Sequence, residues 1–377
     1  MDHGIRSISI TTTDCFKENE MRAFNVISHN KVLVYDDGNM LSYHKGKLYW
    51  ENFETKQFIC KIPIPGRKRL FCSIRIFERL LRLEPRTACK VGYKKYLLSC
   101  SGGVYLVNVE NSTIELELRL RPQMNNPLSF TKIVDEEGNV ESVLFGEYFN
   151  NNEHEEVSIY ERRDSQWARV FSFPSGRIYH IHGIIQGKEK GSYFVLTGDS
   201  DQESGIWFTK DFFKNLECVA GGSQQFRSCV AFTYKDGLIY ATDTPRETNY
   251  LYYLHIDGGE WKTEVLYEMP GPCIYGTKRD KTMLFATSVE ADDTLPSWRY
   301  LFSGKLGLGV KDKYTHLVAV YNGGTVEEVG RIKKDLFPML LFQFGNCMFP
   351  DANIYAPIIF TPVSVNQYDG KTLLIED

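Results

Sequence analysis

The chain has 377 residues, of which 42% are hydrophobic and 14% aromatic, so it can bury the core of one large all-β domain or two ordinary domains. Its 22 Tyr and 24 Phe favour strands over helices. With 44 basic and 48 acidic side chains the formal net charge is −4, which provides no electrostatic footprint for nucleic acid or for an anionic membrane.

Cysteine content and hydropathy indicate the expected compartment. The nine cysteines are an odd number and include no CxxC pair, which argues against a disulfide framework and a cysteine zinc site. The N-terminal residues lack the apolar stretch of a signal peptide, and no run approaches the roughly 18 apolar residues of a membrane span. We expect a cytoplasmic protein without a membrane span.

Short apolar and aromatic runs recur along the chain, separated by turns rich in Gly, Asn, Asp and Pro, while helical periodicity is nearly absent. Faint units come first, around residues 32–50 and 96–107. Four clearer segments follow, each an apolar strand that ends in small residues and an acid: 143–147, 194–199, 238–243 and 283–290. Two further strands follow each of them.

The acids that end these segments lie 52, 44 and 47 residues apart, and a unit of that length with about four strands is one blade of a β-propeller. We therefore predict an all-β single domain over 1–377, with six blades as the alternative to seven. Residues 7–12 are predicted to complete the last blade and close the ring, which removes exposed sheet edges. The seven predicted blades are roughly 22–65, 70–120, 128–174, 178–220, 224–269, 273–331 and 341 to the end.

Strand direction alternates in a four-stranded blade, so the end of the second strand and the start of the first lie on one face of the ring. Acids mark second-strand ends, and other polar residues mark first-strand starts. These positions should meet at one mouth of the ring, where propeller ligands usually bind. The residues concerned are Glu147, Tyr148, Asp199, Asp243, Glu290, His180, His182, Gln224, Arg227 and Tyr275.

His180 and His182 stand two apart on a strand, so both rings point to the same side. Two such histidines can hold a divalent metal ion, with Asp199, Asp243 or Glu147 as an oxygen ligand from a neighbouring blade. Alternatively, one of the pair acts as a general base, or both bond to carbonyls of the inner strands in a structural role. These five residues are the candidate catalytic residues.

A second set is predicted to contact the substrate. Arg227, with Gln224 close by, can grip a carboxylate through a bidentate pair, or else forms a salt bridge to Asp199 or Asp243. Tyrosine rings can stack on sugars, although aromatic strand residues more often serve packing. The remaining candidates are Tyr148, Tyr252, Tyr275 and Asn249, the last of these in a polar loop after a strand.

Two turns carry a family resemblance. Thr209, Asp211 and Leu216 keep the spacing of a Ser/Thr-x-Asp-x-Gly-x-Thr-Trp turn, and Asp164 with Trp167 keeps part of it. Residues 128–270 thus resemble the Asp-box (BNR) propellers of the sialidase superfamily. The resemblance implies a carbohydrate-active protein that acts on or binds an acidic glycan, as a glycoside hydrolase or polysaccharide lyase, in bacterial surface polysaccharide metabolism. The alternative is a non-catalytic propeller that serves as a scaffold for a glycan or protein.

Overall fold

The computed structural model describes residues 22–124, 126–322 and 324–376. In them, 28 strands form seven antiparallel sheets of four strands each. The fold is therefore a seven-bladed β-propeller, which confirms the predicted fold class and its favoured blade number. The predicted closing strand at 7–12 lies outside the described residues.

Short apolar runs such as Tyr193–Gly198 and Gly237–Ala241 are buried along their whole length, which suits sheets packed on both faces by neighbouring blades. Blade 1 consists of β2 (Lys31–Asp36), β3 (Asn39–His44), β4 (Lys47–Glu51) and β5 (Lys56–Lys61). Blade 2 consists of β6 (Thr87–Gly92), β7 (Lys95–Cys100), β8 (Gly103–Asn108) and β9 (Thr113–Arg119). Blade 3 consists of β10 (Thr131–Val134), β11 (Val140–Gly146), β12 (Val157–Arg163) and β13 (Gln166–Phe173).

The next three blades repeat this meander. Blade 4 consists of β14 (His180–Gln186), β15 (Tyr193–Gly198), β16 (Gly205–Thr209) and β17 (Glu217–Gly221). Blade 5 consists of β18 (Val230–Tyr234), β19 (Gly237–Ala241), β20 (Asn249–Asp257) and β21 (Glu260–Met269). Blade 6 consists of β22 (Cys273–Arg279), β23 (Thr282–Thr287), β24 (Tyr314–Tyr321) and β25 (Val326–Lys333).

The seventh blade joins segments from far apart in the sequence. Its strands are β26 (Asn346–Met348), β27 (Ile359–Val363), β28 (Thr372–Ile375) and β1 (Phe24–Ser28). β1 is the outermost strand and pairs antiparallel with β28, with Phe24 opposite Ile375. The predicted first blade is therefore wrong at its start, because residues 24–28 belong to the last blade.

Helical segments occupy the connections. A 3-10 segment (Gly66–Ser73) and α1 (Arg75–Leu80) link blades 1 and 2, so the second blade predicted from residue 70 is also wrong at its start. A short 3-10 turn (Gln224–Phe226) precedes blade 5. α2 (Ser297–Phe302) is inserted within blade 6, and α3 (Met339–Phe342) precedes blade 7. α3 contacts both α1 and α2, so these connections gather on one face of the ring.

The core lies between neighbouring blades. Leu97 of blade 2, Val143 of blade 3 and Val195 of blade 4 are all fully buried in one continuous apolar cluster. Aromatic rings extend it, as where Phe145 stacks on Tyr160 with centroids 5.2 Å apart. This packing fixes the inner strands, and with them the polar residues at the strand ends.

Candidate functional site

A bulge in the innermost strand of blade 4 presents two histidines side by side. In β14, His180 lies opposite Gly198 of β15, but the register shifts between Ile181 and Gly183, so His182 is the extra residue. Both rings are buried and their centroids are 4.8 Å apart. A Cβ atom on Gly198 would lie 2.5 Å from Cε1 of His182, so the ring needs a glycine there.

The hydrogen bonds of these rings define their tautomers. Nδ1 of His180 lies 3.0 Å from the carbonyl oxygen of Phe149, and Nδ1 of His182 lies 3.0 Å from that of Ser228. A carbonyl oxygen can only accept a hydrogen bond, so each Nδ1 carries a hydrogen and donates. In a neutral ring the lone pair is then on Nε2. The two Nε2 atoms face each other at 2.8 Å.

Asp199, just past the end of β15, completes a cluster of three. Its Oδ1 lies 3.2 Å from Nε2 of His182 and 3.5 Å from Nε2 of His180. Although burial works to raise it, contacts with both histidines and with Arg227 hold the pKa of Asp199 well below its usual range. Burial lowers the pKa of His180. The carboxylate is thus ionised beside a neutral imidazole.

Gln224 and Arg227 hold Asp199 in place. Nε2 of Gln224 donates to the Asp199 carbonyl oxygen at 3.1 Å and to Oδ1 of Asp201 at 2.8 Å. Nη2 of Arg227 lies 3.4 Å from Oδ1 of Asp199. The sequence left two roles open for Arg227, and in the structure its contact is the salt bridge to Asp199.

Asp243 and Glu290 form an acidic pair close to Arg227. Oδ2 of Asp243 accepts the thiol hydrogen of Cys229 at 3.1 Å, while its buried Oδ1 has no hydrogen-bond partner among the described residues. Burial and the charge of Asp243 raise the pKa of Glu290 to about 8. Glu290 is therefore mostly protonated at neutral pH.

A cavity of about 550 Å³ opens beside these groups. Its wall combines basic side chains from the connection between blades 1 and 2 with residues of the predicted mouth. Nε of Arg86 donates to the hydroxyl of Tyr275 at 3.2 Å, and its guanidinium lies over the ring of Tyr148, 5.2 Å from the centroid. The lining residues that matter here are Lys31, Arg82, Arg86, Tyr148, Cys229, Asp243 and Tyr275.

Arg82 and Arg86 are both cationic residues of this wall. Among the described residues, neither has a carboxylate within salt-bridge distance; Arg82 donates to the carbonyl oxygen of Leu340 and Arg86 to Tyr275. Burial, followed by the charge of Arg86, lowers the pKa of Arg82. Two unneutralised guanidinium groups in one cavity favour an anionic ligand.

Three predicted residues have other contacts. Glu147 is buried, accepts hydrogen bonds from the backbone N–H of Ser158 and from Arg121, and has a raised pKa, chiefly through burial. Tyr252 stacks on Tyr240 within blade 5. Asn249 uses both ends of its buried amide on protein groups: the Thr242 hydroxyl, the Thr244 backbone and the carbonyls of Glu247 and Gly309.

Tyr148 does lie at the predicted place. Its ring contacts that of His180, with centroids 4.3 Å apart, and it also lines the cavity. Sequence reasoning missed Lys31, Arg82 and Arg86. A signal was present for the arginines, since residues 66–86 form a long basic connection, but it was read as part of a blade.

Comparisons with known proteins support the fold. No family model matches the sequence, and no curated protein matches it. Among solved structures, YCF48 bound to a D1 peptide is similar with a TM-score of 0.51 and 9% identity, covering 95% of this chain and 96% of the other. Regucalcin, a calcium-binding protein of Agrobacterium tumefaciens, has a TM-score of 0.47 and 12% identity over 84% of this chain and 97% of its own. These similarities show the propeller fold alone.

The resemblance to sialidase-type propellers rests on two turns, and no comparison confirms it. Thr209 ends the third strand of blade 4 and Asp211 follows it, and the Thr209 hydroxyl donates to Oδ1 of Asp211 at 2.8 Å. Asp164 and Ser165 form instead a tight turn with positive φ between β12 and β13.

No helix in the described residues is long and apolar enough to cross a bilayer.

Proposed function

We propose that this propeller binds a small acidic carbohydrate in the cavity at the mouth of its ring. The observation that carries the proposal is the position of Arg86, whose guanidinium lines the cavity with a tyrosine hydroxyl, and no carboxylate of the described chain, as its side-chain partner. A cation in that setting gains most from a ligand carboxylate, which it can meet through two parallel hydrogen bonds.

The surrounding groups suit a sugar acid. Arg82 adds positive charge to the same wall, and Tyr148 and Tyr275 add aromatic surface. Sugars stack their C–H faces on aromatic rings while polar residues bond their hydroxyls, and Asn126 and Asn150 lie in the lining for that purpose. The volume of about 550 Å³ lies within the usual range of small-molecule sites.

The proposal is tested with a panel of uronic acid and sialic acid oligosaccharides and their neutral counterparts. We expect acidic members to bind in isothermal titration calorimetry and neutral ones to bind at least about tenfold more weakly, because one charge-assisted hydrogen bond is worth roughly 1.5 kcal/mol or more. Product release is measured on the same panel, which separates a hydrolase or lyase from a binding protein.

Matched arginine variants give the control. Arg86→Gln should abolish the preference for acidic sugars, whereas Arg169→Gln should keep it, because Arg169 is exposed on an outer strand and forms its salt bridge in the described chain with Glu156. Equal affinity of wild type and Arg86→Gln for every acidic sugar would overturn the proposal. So would a wild type that binds none of them.

A second candidate function is a non-catalytic scaffold for a macromolecular partner. The observation that favours it is the set of large apolar side chains left exposed on the helical connections: Leu70 and Ile74 before α1, and Trp298 and Phe302 on α2. α3 contacts both α1 and α2, and contiguous exposed apolar surface is uncommon on a monomer. Absence of sugar binding, together with a stable complex that Trp298→Ala and Leu70→Ser weaken, would favour this function.

A further inference from the structure

The cluster of His180, His182 and Asp199 is a separate feature of the mouth, which the acidic-sugar proposal does not use. Its three polar atoms, the two Nε2 atoms and Oδ1 of Asp199, lie 2.8, 3.2 and 3.5 Å apart. They come from the bulged inner strand and the end of the next strand of the same blade. The backbone therefore fixes their positions, and no long flexible side chain is involved.

These atoms all offer electron pairs to one point. Each Nδ1 donates to a backbone carbonyl, so each neutral ring directs a lone pair from Nε2 toward the other, and the carboxylate adds negative charge. Such an arrangement is unfavourable unless a positive species lies between the groups. That species is either a proton on one Nε2 or a metal ion that takes all three as ligands.

From this geometry we infer that His180, His182 and Asp199 form a binding site for a transition-metal dication of the Zn²⁺ type. Two imidazoles and one carboxylate are a common ligand set for zinc with an open fourth position. Histidines that bind metals typically donate the other ring N–H to a carbonyl oxygen, which holds the ring in orientation. Here the carbonyl oxygens of Phe149 and Ser228 accept these hydrogen bonds.

The spacing is compatible with one ion. Tetrahedral ligands at about 2.0–2.1 Å from zinc lie about 3.3 Å from each other. The two distances to Asp199, 3.2 and 3.5 Å, already match, and the two Nε2 atoms need to separate from 2.8 Å by about half an ångström. Nitrogen ligands disfavour Ca²⁺ and Mg²⁺, which prefer oxygen.

Access and charge are compatible as well. The Asp199 side chain is 41% exposed while the two rings are buried, so an ion can enter from the carboxylate side. Arg227, 3.4 Å from Oδ1 of Asp199, opposes a cation. Asp243 acts on Arg227 with the opposite charge and offsets part of this repulsion. The remaining positive charge leaves the open position suited to water or an anionic ligand.

The test titrates Zn²⁺, with Ca²⁺ in parallel, into the full chain after dialysis against EDTA. We expect one equivalent of Zn²⁺ to bind, to raise the melting temperature and to resist competition by Ca²⁺. Co²⁺ should give visible absorption bands of a low-coordinate nitrogen and oxygen site. His182→Gln should weaken Zn²⁺ binding by more than about tenfold, because removing even a hydrogen-bond partner of a metal ligand commonly lowers metal affinity by about that factor.

His255→Gln is the matched control, because His255 lies on an outer part of blade 5 and, within the part of the chain that the structure describes, its Nε2 contacts the exposed Glu264. It should bind Zn²⁺ as the wild type does. If His182→Gln does not fold, Asp199→Asn serves, since its partly exposed side chain keeps nearly the same shape.

Results of two kinds would overturn the inference. One is a wild type without stoichiometric Zn²⁺ binding, or a variant at His182 or Asp199 with unchanged affinity. The other is a ¹⁵N spectrum in which one ring carries a second proton on Nε2 at neutral pH and Zn²⁺ causes no change. Either outcome leaves Arg86-dependent sugar binding untouched, and Arg86→Gln should leave Zn²⁺ binding intact, so the two proposals fail separately.

Discussion

Cys229 donates its thiol hydrogen to Oδ2 of Asp243, 3.1 Å away, in the wall of the mouth cavity. The contact joins the first residues of blade 5 to the end of its second strand. It also places a thiol next to a carboxylate, which disfavours a second negative charge. The reactivity of the cysteine follows from this.

Cys229 should react slowly with iodoacetamide at pH 8. Burial and the adjacent Asp243 raise the pKa of its thiol well above the ordinary value, so little thiolate is present. Cys218 is exposed and provides the comparison within the same chain. Peptide mass spectrometry should show Cys218 labelled at least several-fold faster. Labelling of Cys229 at an equal rate would contradict the prediction, and Asp243→Asn should accelerate it.

Glu290 should make folding stability depend on pH. Its folded pKa is raised to about 8 by burial and by Asp243, whereas an unfolded glutamate titrates near 4.5. The stabilisation that protonated Glu290 contributes to the free energy of unfolding is therefore fully present below about pH 4.5. It is lost as pH rises toward 8, because the unfolded chain releases a proton that the folded chain keeps.

Glu290→Gln should remove this dependence. Urea unfolding at pH 5, 7 and 9 should show that the variant gains stability relative to wild type as pH rises, by at most about 1.4 kcal/mol per pH unit for one proton. Glu264→Gln, on an exposed outer strand, is the control and should parallel the wild type. Identical pH profiles for wild type and Glu290→Gln would refute the raised pKa.

Gly198→Ala should disturb the histidine pair. The added Cβ would lie 2.5 Å from Cε1 of His182, and the ring is buried, so it must move or the strands must separate. Overpacking of this kind costs about 1–3 kcal/mol. Denaturant unfolding should show that loss, with shifted imidazole ¹⁵N resonances. Gly304→Ala meets no atom within 4 Å and should be neutral; an equally neutral Gly198→Ala would mean that the ring is not confined.

Phe24→Ala should weaken the closure of the ring. Phe24 contacts Phe360 of β27 with ring centroids 5.4 Å apart, and it lies against Gly330 of blade 6. Its side chain is only partly buried, so the loss of unfolding free energy should be about 2 kcal/mol, less than for a core phenylalanine. Phe53→Ala, at a residue 74% exposed, is the control. A loss equal to that control would show that β1 adds no stability.

The propeller itself could be predicted from the sequence because the same strand pattern recurs in several blades. Apolar strands that end in acids recur at blade length, and the strands of blades 3 to 5 were found where they were expected. In blade 6 the strand expected at 299–302 is wrong, because those residues belong to α2 and the third strand is β24 (Tyr314–Tyr321). The same alternation of strand direction placed His180 opposite Gly198, next to Asp199. Residues fixed by strand periodicity were thus accessible.

Residues in the connections were not accessible in this way. The second blade was predicted to begin at residue 70, but Gly66–Ser73 and Arg75–Leu80 form helical turns. The basic composition of this connection is visible in the sequence, but no local pattern shows that it lines the mouth, so Arg82 and Arg86 were missed. Asn249 was assigned to a ligand because its loop is polar, yet the loop uses its amide to satisfy its own backbone.

The pairing of β1 with β28 has a consequence for synthesis on the ribosome. Residues 24–28 emerge early, but their partner at 372–375 is made more than 340 residues later. Through most of translation the first strand has an unsatisfied edge that other strands could occupy. The seventh blade is therefore completed only after residue 372 has been made, and a nascent chain stalled before that point would expose the edge of β1 to chaperones or to neighbouring copies.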